Sequence, residues 1–224
     1  MLVGDIARRP RAGGPEPMPR PTTPVDVLAE PIARHVWATR YRRQADGEAP
    51  EADITQTWRR VARALAGVEP ADAATWEERF AGILDDFRFL PGGRILAGAG
   101  TGQEVTLLNC FVMGRIEDSM EGIFDALREG AITMQQGGGV GYDFSSLRPR
   151  GMPARASGTL ASGAVSFMRI WDAMCATVLS TGSRRGAMMA TLRCDHPDIE
   201  EFVTAKREAG ALRYFNLSVQ VTDA

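Results

Sequence analysis

Between residue 105 and the end of the sequence, strand-like segments alternate with helix-like segments. The strand-like segments are 105–113, 142–144, 187–193 and 215–222. The helix-like segments are 119–136, 164–179 and a short one in which Pro197 occupies the first turn. Such alternation is typical of α/β proteins, so we predict an α/β fold. Since the sequence stops shortly after the last strand-like segment, we expect the sheet to be incomplete.

The residues before this region have a different character. Residues 1–31 hold seven of the thirteen prolines and bury too little apolar surface to offset the cost of ordering, so we predict a flexible arm. Residues 32–90 carry three apolar stripes at helical spacing, which predict a helical N-terminal domain. The stripes are Ala33, Val36, Trp37 and Tyr41; Ile54, Trp58, Val61 and Leu65; and Trp76, Phe80, Leu84 and Phe87. A turn signal at 91–93 separates this domain from residues 91–224.

Composition excludes several classes of function. A net charge of −2 provides no basic field to attract nucleic acid. Cys110, Cys175 and Cys194 are too few and too irregularly spaced for a disulfide framework or a zinc site. No apolar run is long enough to span a bilayer. We therefore expect a cytoplasmic protein with no membrane anchor and no bound metal.

Two segments near the first two predicted strands contain candidate ligand contacts. Cys110 lies in the apolar run LLNCFV, where a cysteine is either inert packing or a thiol that faces a cavity, with Asn109 on the opposite face. The glycine run 137–141 either lets a phosphate or ribose approach the backbone or simply makes a tight helix-to-strand connection. The local patterns leave both pairs of alternatives open.

Two loops carry arginines among small residues and prolines. Arg148, Arg150 and Arg155 lie in one, and Arg184 and Arg185 lie in the other, within 180–186. A guanidinium grips phosphate oxygens in two places, so the loops either converge on a triphosphate or carry solvated charge.

The string DHPD at 195–198 resembles a metal cluster only superficially. We predict that Asp195 or His196 is instead the N-cap of the helix that follows.

Several segments together are more specific than each alone. They are FRFLPGGRILAGAGT, LLNCFV, EDSMEGIFDALREGAITMQQGGGVGYDFSSLRPRG, ASGAVSFMRIWDAM, GSRRGAMMATLRCDHPDIEEF and FNLSVQVTD. In order and spacing they closely resemble the large chain of the class II ribonucleotide reductases, which use adenosylcobalamin. The resemblance covers roughly residues 30–224, which is nearly everything except the arm.

The resemblance implies a fold, a reaction and a substrate site. The fold is a ten-stranded α/β barrel preceded by a helical domain, and residues 91–224 are the first part of the barrel. The reaction reduces ribonucleotides, by the closest resemblance diphosphates, to deoxyribonucleotides for DNA synthesis. Cys110 matches the first cysteine of the redox pair, which a thioredoxin-like protein re-reduces. Asn109, Cys110 and Gly139 match residues that contact the substrate.

The resemblance also implies allosteric control by a deoxynucleoside triphosphate or ATP. Asp118 and Ser119 match effector-binding residues, Arg148 and Arg155 match the first effector loop, and Arg184 and Arg185 match the second. Helices 119–136 and 164–179 resemble those that pair across the family's homodimer interface.

The departures from the family pattern limit what this chain does alone. The Asn-Pro-Cys-Gly-Glu loop with the thiyl-forming cysteine is missing, and Cys175 and Cys194 match neither the second redox cysteine nor the shuttle cysteines. Ser180 and Thr181 replace a Gln-Gly pair common in relatives. We therefore expect turnover and cofactor binding to require a C-terminal reductase portion. A non-catalytic nucleotide-binding regulatory module and a truncated relic remain alternatives.

Overall fold

The computed structural model describes residues 27–44, 47, 49–153, 158–178 and 186–223, and residues 1–26 of the predicted arm lie outside this part. A helical region comes first. Its elements are α1 (Pro31–Arg40), α2 (Ile54–Ala66), α3 (Ala73–Leu84), a 3-10 turn (Asp85–Phe87) and α4 (Gly93–Gly98). A region of alternating strands and helices follows. Its elements are β1 (Cys110–Val112), α5 (Met120–Gln135), β2 (Gly139–Asp143), α6 (Ala164–Thr177), β3 (Met188–Arg193), α7 (Ile199–Thr204) and β4 (Phe215–Gln220).

Helix α2 organises the helical region. The Asp53 carboxylate accepts a hydrogen bond from the Gln56 amide and so caps the helix. Trp58 and Val61 are buried on the face that packs against α3 and α4. The second predicted stripe, which contains Trp58 and Val61, therefore lies in the core of this region.

A buried ion pair fastens α2 to its neighbours. Arg60 Nε lies 2.8 Å from Glu51 Oε1, and the Arg60 guanidinium also donates to the carbonyls of Leu96 and Ala99. Burial alone would raise the pKa of Glu51, but hydrogen bonds from Arg60, Thr57 and the Arg43 amide outweigh it and lower the pKa. Glu51 therefore stays charged, and α4 is held against α2 through polar contacts as well as apolar ones.

The strands form one parallel sheet in the order β1-β2-β3-β4. Each strand pairs with the next strand along the chain, and helices α5, α6 and α7 make the connections. The predicted α/β fold after a helical N-terminal domain is confirmed, in the form of a four-stranded parallel sheet.

The two faces of the sheet have different surroundings. One face, called here the helix face, packs against α5 and α6 and forms the main core. Strand residues that are buried on it are Val140, Tyr142, Met188, Ala190, Leu192 and Phe215. The side chains that alternate with them point to the other face, called here the open face, where Cys110, Val112 and Met189 are exposed.

Aromatic rings fill the centre of the core. Trp171 of α6 is fully buried, with its ring centroid 5.6 Å from that of Tyr142 and 5.3 Å from that of Phe144. The Tyr142 hydroxyl donates to the Ala126 carbonyl of α5 at 2.8 Å. These contacts hold α5 and α6 over the sheet.

Several local predictions were wrong in detail. The first strand covers only Cys110–Val112, because the Thr106 amide is bonded to Gln136 and the Thr106 hydroxyl accepts from the Leu108 amide, which turns the chain before the sheet. Residues 93–98, directly after the turn predicted at 91–93, form helix α4, which was not predicted from the sequence. Helix α5 is capped by the Ser119 hydroxyl, which accepts from the Gly122 amide.

The predicted N-cap of α7 was also wrong. Its N-cap residue is Asp198, which makes no side-chain capping hydrogen bond. Asp195 forms an ion pair with Arg193 instead. None of the described helices is both long and apolar enough to cross a membrane.

Candidate functional site

Cys110 begins β1 with its thiol exposed on the open face. Its Cα pairs with that of Gly139, the first residue of β2. A Cβ atom placed on Gly139 would lie 3.5 Å from Cys110 Sγ, so the missing side chain leaves the space beside the thiol open. The carbonyl of Asn109 accepts a hydrogen bond from the Gly139 amide at 2.8 Å. The three residues predicted as substrate contacts thus lie together.

The other two cysteines cannot reach Cys110. Cys175 is buried in the core on the helix face, where burial and the nearby Asp172 raise its pKa to about 11. Cys194 follows the last residue of β3, at the opposite end of the sheet from Cys110. Measured along the strand direction, about six residues separate Cys110 from Cys194, which corresponds to roughly 20 Å. This distance far exceeds the Cα–Cα distance across a disulfide. Neither Cys175 nor Cys194 can therefore form a disulfide with Cys110 in this fold.

Asp118 and Arg148 form a second cluster, before α5 and after β2. Arg148 Nε lies 2.8 Å from Asp118 Oδ2, with both side chains partly exposed. The Arg148 amide donates to Asp118 Oδ1 at 3.2 Å, and Nη2 donates to the Asp118 carbonyl at 3.0 Å. Three predicted effector contacts therefore meet here, because Ser119 is the next residue and caps α5.

This cluster has the chemistry of an anion site. It lies at the N-terminus of a 16-residue helix, where backbone N–H groups and the helix dipole favour negative charge. The Arg148 guanidinium is held in one orientation by Asp118, so an incoming phosphate has to share it with that carboxylate. The remaining predicted effector contacts, Arg155, Arg184 and Arg185, lie outside the described residues.

His196 and Asp198 are placed close to the arginine loop, which the sequence did not predict. Both are buried, and they contact Leu147, Arg150 and Ala164 through hydrogen bonds. The only sequence signal was the charged string 195–198 directly after an apolar strand. Among the described residues, no group of three or more His, Cys, Asp or Glu side chains is arranged to hold a metal ion.

The fold and the site define a class of protein. It is an α/β protein in which a helical domain precedes parallel strand–helix units, and an exposed thiol lies beside a glycine where the first strand begins. Family comparisons agree with this class. Residues 108–224 match the family model described as "Ribonucleotide reductase, barrel domain", and residues 28–104 match "Ribonucleotide reductase, all-alpha domain". The chain belongs to the ribonucleotide reductase family.

Individual relatives narrow the comparison. The chain is 47% identical over 165 residues to a vitamin B12-dependent ribonucleoside-diphosphate reductase from Mycobacterium tuberculosis, covering 73% of this chain and 24% of that protein. A protein of the same name from Thermoplasma acidophilum is 41% identical over 154 residues, covering 67% and 20% of the two chains. The Helicobacter pylori ribonucleoside-diphosphate reductase subunit alpha is 31% identical over 128 residues, covering 57% and 16%. The chain thus spans about a quarter or less of the length of these relatives.

Proposed function

We propose that this chain is the N-terminal part of a vitamin B12-dependent ribonucleoside-diphosphate reductase and supplies one redox thiol, substrate contacts and the effector site. The observation that carries the proposal is the placement of the Cys110 thiol, exposed on the open face beside Gly139. A ribose can approach a thiol there without meeting a neighbouring side chain on β2. The names of the most similar relatives support the same reaction.

The reaction requires two thiols and a radical. Replacing the C2′–OH bond of the ribose by C2′–H takes two electrons and two protons, which two thiols supply as they form one disulfide and release water. Cys110 is one of the two thiols. Because Cys175 and Cys194 are out of reach, the second thiol and the hydrogen-abstracting cysteine belong to the C-terminal reductase portion.

Adenosylcobalamin supplies the radical in relatives of this kind. The described residues do not fit it, because the open face has no cover near the thiol and Val112 beside Cys110 is 98% exposed. We therefore assign no residue of this chain to the cofactor, and its site belongs to the C-terminal portion.

The Asp118–Arg148 cluster supports the regulatory half of the proposal. Asp118, Ser119 and Arg148 bind a deoxynucleoside triphosphate or ATP, together with Arg155, Arg184 and Arg185. Exposed apolar side chains on α5, including Phe124 and Ile132, fit the pairing of α5 and α6 across a homodimer. The product serves DNA synthesis in the cytoplasm, and a thioredoxin-like protein reduces the disulfide.

A Cys110→Ser variant tests the redox role. The chain is combined with the C-terminal portion of a close relative, and ribonucleoside-diphosphate reduction is assayed with a dithiol reductant and adenosylcobalamin. We expect Cys110→Ser to abolish turnover and to spare effector binding, whereas Cys194→Ser keeps both. Turnover retained by Cys110→Ser would show that the redox cysteine is misplaced. The coding sequence downstream of codon 224 is the simpler test, because the proposal needs an Asn-Pro-Cys-Gly-Glu loop encoded in the genome.

One observation favours a second candidate, a non-catalytic nucleotide-binding module. The Asp118–Arg148 cluster is assembled within this chain, whereas no described cysteine can pair with Cys110. Titration of the purified chain with each deoxynucleoside triphosphate tests this candidate, because absence of binding at millimolar concentration would exclude it.

A further inference from the structure

Two buried side chains from the segment between β3 and α7 hold Leu147, Arg150 and Ala164, near the two ends of the loop that connects β2 to α6. His196 and Asp198 are 8% and 7% exposed. They are 49 and 48 residues from the loop positions that they contact, so the contacts are set by the fold. No other described part of the chain brings two buried polar side chains to this loop.

His196 holds the loop immediately before Arg148. Its Nδ1 lies 3.1 Å from the Asp198 amide, which has a proton to donate, so Nδ1 accepts and carries none. The proton of the neutral ring is therefore on Nε2, which donates to the Leu147 carbonyl at 2.9 Å. The imidazole thus fixes the peptide group that joins Leu147 to Arg148.

Asp198 holds the loop on the other side of Arg148 and again where the loop ends. Its Oδ1 accepts from the Arg150 amide at 3.0 Å, and its Oδ2 accepts from the Ala164 amide at 3.1 Å. A Cβ on Gly163 would lie 2.7 Å from Oδ2, and Gly163 has a φ of +86°, so only glycine fits beside the carboxylate. One buried carboxylate therefore joins the start of the loop to the first residue of α6.

Arg148 lies between these two anchors. With Leu147 held by its carbonyl and Arg150 held by its amide, the backbone on both sides of Arg148 has little freedom. The arginine side chain then meets Asp118 in the geometry described above. A further contact, from Arg150 Nη2 to Glu201 Oε1 at 2.6 Å, is half-exposed and contributes less to this order.

We infer that His196 and Asp198 are positioning residues, which hold the loop so that Arg148 stands ready for the effector. The inference rests on the proposed effector site. It assigns to His196 and Asp198 a part of the affinity of that site for the effector. Neither side chain touches the ligand. Their contribution is to remove conformational freedom from the arginine before binding, which raises affinity without any new contact.

The test compares Asp198→Asn with Asp195→Asn in the full chain. Asparagine keeps one acceptor but places N–H groups against the amide donors, whereas Asp195 is exposed and its carboxylate forms an ion pair with Arg193. Each of the four deoxynucleoside triphosphates is titrated separately by calorimetry. We expect Asp198→Asn to weaken binding about tenfold or more, as for a lost buried hydrogen bond, and Asp195→Asn to leave it unchanged.

A fold reporter separates positioning from unfolding. Alkylation of the buried Cys175 should stay slow in both variants if they are folded, while amide exchange at Arg150 and Ala164 should become faster only in Asp198→Asn. Unchanged effector affinity with faster exchange would overturn the inference. Absence of binding by the unsubstituted chain would overturn the effector site itself.

Two substitutions of His196 provide a conservative rescue in case Asp198→Asn does not fold. Glutamine can place a donor near the position of Nε2, and asparagine can place an acceptor near that of Nδ1. If the bond to Leu147 positions the loop, His196→Gln should retain more effector affinity than His196→Asn. Equal affinity of the two variants would contradict the role assigned to His196.

Discussion

The two faces of the parallel sheet are built from neighbouring residues but have opposite tasks. On the helix face, Tyr142 and Phe144 pack against Trp171 in a closed core. On the open face, Cys110 and Val112 are exposed and glycines replace side chains on β2. Because successive strand residues alternate between faces, one three-residue strand contributes to both. The helix face should therefore determine stability, and the open face should determine reactivity.

The largest expected difference concerns one apolar side chain on each side of the sheet. Trp171→Ala should lower the free energy of unfolding by about 3–5 kcal/mol, because it leaves a cavity in the aromatic cluster. Val112→Ala should change it by less than about 0.5 kcal/mol, because Val112 is 98% exposed. Urea denaturation of both variants measures the difference. A large loss for Val112→Ala would show that the open face is covered in solution.

Two glycine-to-alanine substitutions compare how tightly the two faces are packed. A Cβ on Gly130 would lie 2.1 Å from the Tyr142 hydroxyl, which donates to Ala126, whereas a Cβ on Gly141 would lie no closer than 3.8 Å to its neighbours. Gly130→Ala should cost about 1–3 kcal/mol, since lost hydrogen bonding and crowding exceed the gain of about 1 kcal/mol in helix propensity. Gly141→Ala should be neutral or stabilising by about 0.5 kcal/mol. Equal melting behaviour of the two variants would contradict the packing described for α5.

Alkaline pH should lower the stability of the fold through Tyr142 on the helix face. Burial is the main cause that raises the pKa of Tyr142 to about 12, from a value near 10 in the unfolded chain. The folded state therefore keeps a proton that the unfolded state loses, so this contribution to stability is complete below pH 10 and disappears as the pH rises through 12. Denaturation curves between pH 9 and pH 12 should show the fall. The Tyr142→Phe variant should lose less stability over this pH range. If it loses as much as the unsubstituted chain, groups other than Tyr142 cause the loss.

The smallest expected effect is on the open face. In Gly139→Ala the new methyl group would lie 3.5 Å from Cys110 Sγ, which is ordinary contact, so the free energy of unfolding should change by less than about 0.5 kcal/mol. The same methyl group should slow alkylation of the thiol by shielding one side of it. Iodoacetamide kinetics measure this, with Gly141→Ala as the control that leaves the rate unchanged. Equal alkylation rates in the two variants would show that Gly139 does not lie beside the Cys110 thiol.

Local patterns predicted the elements that rest on strong periodicity. The stripe Ile54, Trp58 and Val61 appears as the buried face of α2, and the alternation from Phe215 appears as β4. Boundaries were less predictable because they depend on distant hydrogen bonds. Thr106 is held by the carbonyl of Gln136, thirty residues away, and this contact shortens the predicted first strand.

The candidate site also contains some residues that local sequence patterns predicted and others that they did not. The neighbours Asn109 and Cys110 were recognisable from one short string, and the register then placed Gly139 beside them. The contacts of Asp198 were not predictable, because an aspartate after a strand has the same local sequence pattern as a helix cap. Only the folded chain brings its carboxylate to the amides of Arg150 and Ala164.

The sequential strand order has a consequence for synthesis on the ribosome. Since β1, β2, β3 and β4 lie in the sheet in the same order as in the chain, each strand emerges next to a partner that has already been made. The sheet can therefore grow by docking one strand–helix unit at a time onto the strands already made, without waiting for a distant segment to be inserted between finished strands. The growing edge of the sheet is then unpaired only for the time needed to translate one more unit, which shortens the period in which that edge can aggregate.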